Sequence, residues 1–331
     1  MGLVRVLMIS LSLFAIVPKP HIAEAQGLRK VHATIPALTE SSIIFFTARE
    51  KGFWRDEGLD VELIVARAAA SIQGVIGGNV EFGTAGGSAL LPITRGLPMT
   101  FLFTTFDRAN FSLYVKPQIR SVQELKGKRI GVSSFGSGPD YLLRDFLTDR
   151  GIDAGRDSTI LAVGSGMERF IALKTEAVDA AMLSPSAYIM AEEAGFRELV
   201  SFIKQGDHVY LQGGIITRSN LLKSEPALVE KFIRGSLKAL LYVQTNRPQT
   251  ISILARLLKI KQDIATRIYD EIRPGVAQDG TVNEEQQRKS LTPFVGRTGS
   301  KDLPPLQRIF DFSITRKVLA DLKAERWQPV P

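Results

Sequence analysis

Two hydrophobic periods alternate along the chain, and they do so twice in the same order. Val31-His32-Ala33-Thr34 and Arg129-Ile130-Gly131-Val132 have strand character, and each is followed by small polar residues and then a helix. The first helix is expected to take Thr39 as its N-cap, bury Ile43, Ile44 and Ala48, and stop at Gly52. The second is entered through Gly136-Ser137-Gly138-Pro139-Asp140, with Pro139 suited to the first helical position and Leu142, Leu143, Phe146 and Leu147 at helical spacing. Each helix leads to a Gly-apolar-Asp turn, Gly58-Leu59-Asp60 and Gly151-Ile152-Asp153, and then to a second strand. A further helix and a third strand follow, marked by Val80-Glu81-Phe82 and Val178-Asp179-Ala180.

The spacing between copies is 98 residues at Val31/Arg129, Val65/Val163 and Val80/Val178, and 93 at Gly58/Gly151. Generic alternation of strands and helices explains the order of elements. It does not explain the constant offset or the acidic residue shared after Val80 and Val178. Strands alternating with helices predict parallel sheets with right-handed crossovers, here two α/β lobes. Beyond the second copy the pattern is helical over Ser224–Val243, Asn246–Leu258 and Lys261–Tyr269. Such a tail needs a sheet to pack on. Ser112–Lys116 and Gly213–Thr217 are strand-like and are expected to be paired crossover segments. Lobe one is therefore expected over 26–116 and 213–331, and lobe two over 117–212.

The N-terminus changes the setting. Arg5 precedes an apolar stretch from Val6 to Val17 broken only by Ser10 and Ser12, followed by Pro18-Lys19-Pro20 and Ala23-Glu24-Ala25. This is the order of a cleavable export signal over residues 1–25, with cleavage after Ala25 leaving Gln26 first. A membrane span needs about 20 apolar residues. The expected product is a periplasmic, soluble protein.

Composition removes much chemistry. The 331 residues include no cysteine and three histidines (His21, His32 and His208), so disulfides, thiolate sites and a histidine-rich metal cage are not expected. Loss of residues 1–25 leaves 40 basic and 33 acidic side chains, a net +7, scattered singly and in pairs. That pattern reads as a solvated surface and predicts no nucleic-acid partner. No G-x-S-x-G elbow, phosphate-binding P-loop, G-x-G-x-x-G or H-E-x-x-H occurs, so no catalytic residue, cofactor or metal is assigned. His32 is expected in a buried strand, and His208 beside Asp207 at the surface.

Ligands of open α/β sheets gather beyond the carboxyl ends of strands, where helix N-termini favour anions. Six loops qualify. In lobe one they supply Leu38 and Thr39, then Arg67, then Gly86, Gly87 and Ser88. In lobe two they supply Ser134, Phe135, Gly136 and Ser137, then Ser165, then Ser184. Each cluster alone also fits an ordinary turn and cap. Together, at matching positions of two copies, they predict one cleft. Arg67 would clamp an anion, or pair with a nearby acid. Phe135, Phe106 and Tyr210 are candidates for stacking on a ligand ring, or core residues.

Three stretches carry a resemblance: Ala48-Arg49-Glu50-Lys51-Gly52-Phe53-Trp54-Arg55-Asp56-Glu57-Gly58-Leu59-Asp60-Val61, Leu125-Lys126-Gly127-Lys128-Arg129-Ile130-Gly131-Val132, and Ala177-Val178-Asp179-Ala180-Ala181. In order and spacing the chain resembles the periplasmic substrate-binding proteins of ABC importers, in the group for sulfonates, taurine, nitrate and thiamine pyrimidine precursors. The resemblance departs at Lys174-Thr175-Glu176, where Ser-Gly is usual, at Glu81, where Asp is usual, and at Arg67-Ala68-Ala69-Ala70, where a Gly-Ser-Gly-like turn is common. It implies a type II venus-flytrap fold with two crossover hinge strands closing over a small organic anion, a sulfonate or carboxylate. It further implies a non-enzymatic, monomeric protein that hands its ligand to an ABC permease with its ATPase. A sensor component presenting solute to a membrane regulator and an exported enzyme on the same fold are the alternatives.

Overall fold

In the computed structural model, residues 27–204, 210–294 and 302–330 are described. The expected export signal, including Arg5 and Ala25, and His208 with Asp207 lie outside the described residues.

Each copy of the repeat builds one five-stranded sheet. In the first, β1 (Arg29–Ile35), β2 (Leu59–Val65) and β3 (Phe82–Gly83) are parallel, joined through α1 (Ile43–Glu50) and α2 (Ala68–Ile76). Then α3 (Gly86–Thr94) leads to β4 (Met99–Phe106). In the second copy, β5 (Ser112–Val115) precedes β6 (Arg129–Val132), α4 (Gly138–Thr148), β7 (Thr159–Ala162), α5 (Gly166–Lys174), β8 (Ala180–Leu183), α6 (Pro185–Glu193) and β9 (Arg197–Ser201). The chain then returns through β10 (Gly213–Arg218). The sheet orders are β2-β1-β3-β10-β4 and β7-β6-β8-β5-β9, the same order twice.

The two expected crossover strands are thus exchanged between the lobes and do not pair with each other. β5 lies antiparallel between β8 and β9, so Ser112–Val115 belongs to the sheet of lobe two. β10 lies antiparallel between β3 and β4. What does run side by side are the links just outside these strands. Gln212 N–H donates to Phe106 O (3.1 Å), Phe202 N–H to Phe111 O (3.0 Å), and Asn110 N–H to the Gln212 side-chain oxygen (2.6 Å). Local apolar pattern marks a strand, but the sheet it joins is set by long-range pairing.

The acid shared by the repeats closes the first and third strands of each lobe. The Glu81 carboxylate accepts from His32 N–H (2.8 Å), and that of Asp179 from Arg129 N–H (3.0 Å). Asp179 also holds the Arg129 guanidinium and the Lys116 ammonium, and these bonds keep its carboxyl well below the usual range. His32 is not a core residue. It stands half-exposed on β1, 3.6 Å from Glu62 and 3.8 Å from Glu81. The turn before each third strand reaches the left-handed region at equivalent positions, Gly78 (φ 76°) and Glu176 (φ 61°).

The tail comprises α7 (Ser219–Ser224), α8 (Pro226–Thr245), α9 (Arg247–Leu258), α10 (Gln262–Ile272), α11 (Glu284–Leu291) and α12 (Ser313–Ala324). It packs on lobe one as expected, chiefly through α8 and the Trp54 turn. Trp54 Nε1–H donates to Phe232 O (3.1 Å), and the Phe232 ring stacks on Phe82 at 3.9 Å. Glu57 binds Lys238 (2.5 Å) and Arg234 (3.3 Å) of α8. The most distinctive stretch of the sequence, Ala48–Val61, therefore serves packing rather than ligand contact. From α10, Arg267 reaches Glu192 (3.1 Å), and Glu271 accepts from the Tyr188 hydroxyl (2.9 Å), both partners lying on α6 of lobe two. Among the described residues no helix is long and apolar enough to cross a membrane.

Candidate functional site

A cavity of about 490 Å³ lies between the lobes at the carboxyl ends of the parallel strands. All six expected loops reach it. Lobe one contributes Pro36–Thr39 after β1, Val65 and Arg67 after β2, and Thr84, Ala85 and Ser88 after β3. Lobe two contributes Ser133, Ser134 and Ser137 after β6, Gly164–Gly166 after β7, and Ser184 after β8. Phe111, Tyr210 and Gln212 reach it from the two crossover links.

Arg169 gives the cavity its character. It sits just inside the first turn of α5 and is only 3% exposed. Its Nε–H donates to Met182 O (2.5 Å) and Nη1–H to Gly164 O (2.6 Å), which fix the plane of the guanidinium at the cavity wall. Burial pushes its pKa down to about 10, so it stays charged at neutral pH. A buried cation needs a compensating anion or a full set of acceptors. Among the described residues, two carbonyls are its hydrogen-bond acceptors, and they supply no formal charge.

Its acidic neighbours compensate it only in part. Glu168 uses its carboxylate to accept from Ser165 N–H (2.5 Å), while Ser165 Oγ accepts from Glu168 N–H (3.3 Å). This capping box closes the N-terminus of α5 and, with Arg67 and Arg169 nearby, keeps the Glu168 carboxyl below its usual range. Glu40 reaches toward Arg169 from lobe one. It is fully buried, and neither carboxyl oxygen makes a hydrogen bond of proper geometry. Desolvation raises its pKa, against the weaker opposing pull of Ser186, Ser184 and Arg169. Burial thus works against the charged form of this carboxyl, and the Arg169 guanidinium beside it works for that form.

The helix N-termini around the cavity are unequally occupied. At α4, the Ser137 hydroxyl turns back to donate to Ser134 O (2.6 Å), and Asp140 accepts from Gly136 N–H (2.9 Å). At α6, Ser184 is the N-cap, but its buried Oγ caps no backbone N–H and has no hydrogen-bond partner. Thr84 Oγ1 across the cavity is likewise buried and unpartnered. Arg169 and Ser184 line this cavity together with polar side chains, among them Thr39, Arg67, Ser88, Ser137 and Glu168, and with the apolar Leu38, Val65, Ala68, Phe111 and Pro139.

The structure brings Leu38, Thr39, Arg67, Ser88, Ser134, Ser137, Ser165, Ser184 and Tyr210 to the cavity wall. Gly86, Gly87, Phe135 and Gly136 stand outside it. A Cβ on Gly86 would lie 2.5 Å from the Phe101 ring, and one on Gly87 would lie 2.0 Å from Leu211 O. These two glycines admit β10 and the returning chain, not a ligand. Gly136 has φ 74° and aims its N–H at Asp140 instead of into the cleft. Thr39 does precede the first helical turn, a 3-10 segment over Glu40–Ser42, but its hydroxyl bonds Ser41 Oγ (2.8 Å) and caps nothing. Phe106 is core, and Phe111 takes the place at the cavity expected of it. Arg169 escaped the sequence reading, although a cation in the first turn opposes the helix dipole and is a usable signal. Among the described residues no cluster of three or more His, Cys, Asp or Glu side chains could hold a metal.

The family described as NMT1/THI5 like matches residues 39–251. A riboflavin-binding protein, RibY, of Chloroflexus aurantiacus is 27% identical over 210 residues, which is 59% of this chain and 57% of RibY. A solved structure from Bordetella bronchiseptica RB50 superposes with a TM-score of 0.80 at 19% identity, covering 89% of this chain and 98% of that one. The alkanesulfonate-binding protein SsuA from Xanthomonas axonopodis pv. citri, bound to MOPS, gives 0.69 at 16%, covering 89% and 99%. The fold is shared as well by a desulfurization enzyme, DszB, at 0.64 and 14%, covering 88% and 99%. At these identities the solved structures establish the two-lobed periplasmic-binding-protein fold, and the fold alone.

Proposed function

Because the chain belongs to the NMT1/THI5-like family, we propose that it is an exported solute-binding protein that captures a small organic anion between its lobes and delivers it to an ABC permease. The observation that carries this reading is Arg169, a buried guanidinium fixed by two carbonyls at the wall of the cavity that Ser184 also lines. A carboxylate or sulfonate would bring charge and acceptor oxygens to this guanidinium. Lobe one closes over the bound group through Thr84, Ser88 and the Pro36–Thr39 loop. The signal-like N-terminus supports export, and the binding proteins among its structural relatives support the transport role.

The test is mass spectrometry of small molecules released on denaturing the exported protein, followed by calorimetry with carboxylates, sulfonates, amines and neutral sugars. The expected result is an anion, bound and returned unchanged. Tight binding confined to cations or sugars overturns the ligand class. Conversion of the bound molecule into product would assign the chain to enzymes of this fold instead.

A further inference from the structure

The core of lobe two is divided. Around α4 it forms a cluster of its own, with Leu143 and Phe146, whereas around α5 and α6 it runs without a break into the core of lobe one. Ala187, Tyr188 and Ala191 of α6 share that continuous cluster with Ile268, Tyr269 and Ile272 of α10, and the two helices pack together. Polar pairs follow the same seam. Tyr188 and Glu192 stand about one turn apart on α6, and Arg267 and Glu271 about one turn apart on α10. The Tyr188 hydroxyl donates to Glu271 (2.9 Å), and Arg267 binds Glu192 (3.1 Å) and Glu193 (3.4 Å), so the helices meet antiparallel. Glu192 also accepts from the Tyr114 hydroxyl (2.6 Å), and the Tyr114 ring stacks on Tyr188 at 5.6 Å, which ties the seam to β5. At the other end of α6, Glu40 of lobe one lies beside Ser184 and Ser186.

We propose that α6 and α10 form a clasp that holds the two lobes together independently of any ligand. None of Tyr188, Glu192, Arg267 and Glu271 lines the cavity. Their contacts join one lobe to the other without passing through a bound molecule. Domains of one chain move relative to each other by default, unless the interface between them is large and apolar. Here the continuous apolar packing and the bond from buried Tyr188 to Glu271 resist that motion, and the half-exposed pairs of Arg267 add a smaller share. A ligand shifts such an equilibrium only by the contacts it gains on closure. With the clasp in place it need not supply the whole cost of closing the cleft, and its release requires the clasp to part.

The test is the distance between two spin labels in the whole exported protein, refolded from denaturant to free it of bound molecules. The labels sit at Gln73→Cys on α2 of lobe one and Asp149→Cys after α4 of lobe two, both exposed, and the chain has no cysteine of its own. The otherwise unsubstituted protein should give one dominant distance, that of the structure described here. Adding Tyr188→Phe with Arg267→Met, which removes the polar ties and leaves the rings and the apolar packing, should raise the ratio of longer to shorter distances at least about fivefold. Arg267→Met alone should raise it about twofold. Arg256→Met breaks an exposed pair with Glu50 that lies wholly within lobe one, and it should change nothing. Melting temperatures check the fold, and if the double variant does not fold, the half-exposed Arg267→Met decides the outcome. Mainly long distances in the unsubstituted protein, unchanged distances in the folded variants, or equal opening in Arg256→Met overturns the clasp. No arm of the test uses a ligand, so such a result leaves the solute-binding reading standing.

Discussion

Lobe one and lobe two share strand order, the exchange of one strand, and the six loops that meet at the cleft, yet they offer a ligand different chemistry. Lobe two holds a buried cation, Arg169, and an open serine cap at α6. Lobe one holds hydroxyls, hydrocarbon and one exposed cation, Arg67, and it sends a buried carboxyl, Glu40, toward its partner. The same division recurs in the backbone ties. Glu81 accepts from the backbone with His32 near it, while Asp179 accepts from the backbone and also from Arg129 and Lys116. Duplication preserved where loops arrive, because strand ends fix that. The side chains on those loops were free to diverge, and the charge settled in one lobe.

The sharpest way to break this comparison is to remove one cation from each lobe. Arg169→Met keeps most of the buried volume and takes away the charge. Truncating one partner of a buried charged contact costs about 2–5 kcal/mol of binding, or roughly thirtyfold to several-thousandfold. Arg67→Met removes an exposed charge, for which about 0–1 kcal/mol is expected. Calorimetry with one bound anion measures both. If Arg67→Met proves the more damaging, lobe one carries the anion and the division of chemistry described above is wrong.

The two buried or half-buried carboxyls should tilt stability in opposite directions. Glu40 has its folded pKa raised, so its contribution is fully present below its unfolded value of about 4.5 and is lost as pH rises through the folded value. Asp179 has its folded pKa lowered, so its contribution is present above about 3.8 and is lost as pH falls through the folded value. Relative to the unsubstituted protein, Glu40→Gln should therefore gain stability as pH rises above about 4.5, because it removes the group whose ionisation is opposed by burial. The gain should vanish in acid. Asp179→Asn should lower stability near neutral pH by about 1–2 kcal/mol, toward the low end because water screens the site. The matching change in lobe one, Glu81→Gln, should cost about 0.5–1 kcal/mol, as only a backbone N–H is lost there. Urea midpoints across pH, with hydrogen exchange to separate the lobes, give these values. Parallel slopes for Glu40→Gln and Asp179→Asn would contradict the account.

The duplicated strand-helix order and the six loops were legible in the sequence because both depend on local pattern, repeated at nearly fixed spacing. The exchange of β5 and β10 was not, since Ser112–Val115 has the same apolar character whichever sheet it joins. Gly86 and Gly87 mark close backbone approach correctly, but sequence does not distinguish a ligand from the protein's own returning chain. Ser134 and Ser137 reach the cavity as expected, while Gly136 between them turns away because its left-handed backbone serves Asp140. Arg169 looked like an ordinary helix residue beside Phe170. Its burial follows from α5 packing against β8, a contact made only in the folded lobe. Glu40 was hidden for a similar reason, as its surroundings come from the opposite lobe.

The finest comparison lies within lobe two, between the serines that open α5 and α6. Ser165 makes both bonds of a capping box with Glu168, whereas Ser184 Oγ makes none. An N-cap serine that makes its bond contributes about 0.5–2 kcal/mol to stability. Ser165→Ala should therefore lower the melting temperature by a few degrees and leave affinity nearly unchanged, because its hydroxyl is already engaged. Ser184→Ala removes no protein hydrogen bond and clears an orphaned oxygen, so stability should stay within about 0.5 kcal/mol. Ser184 instead lines the cavity with Arg169, where one neutral hydrogen bond to an anion is worth about 0.5–1.5 kcal/mol. Affinity should fall about two- to twelvefold. Thermal denaturation without ligand and calorimetry with it separate the two effects. Should Ser184→Ala lose stability and keep its affinity, the α6 terminus is closed in solution, and Arg169 alone must hold the anion.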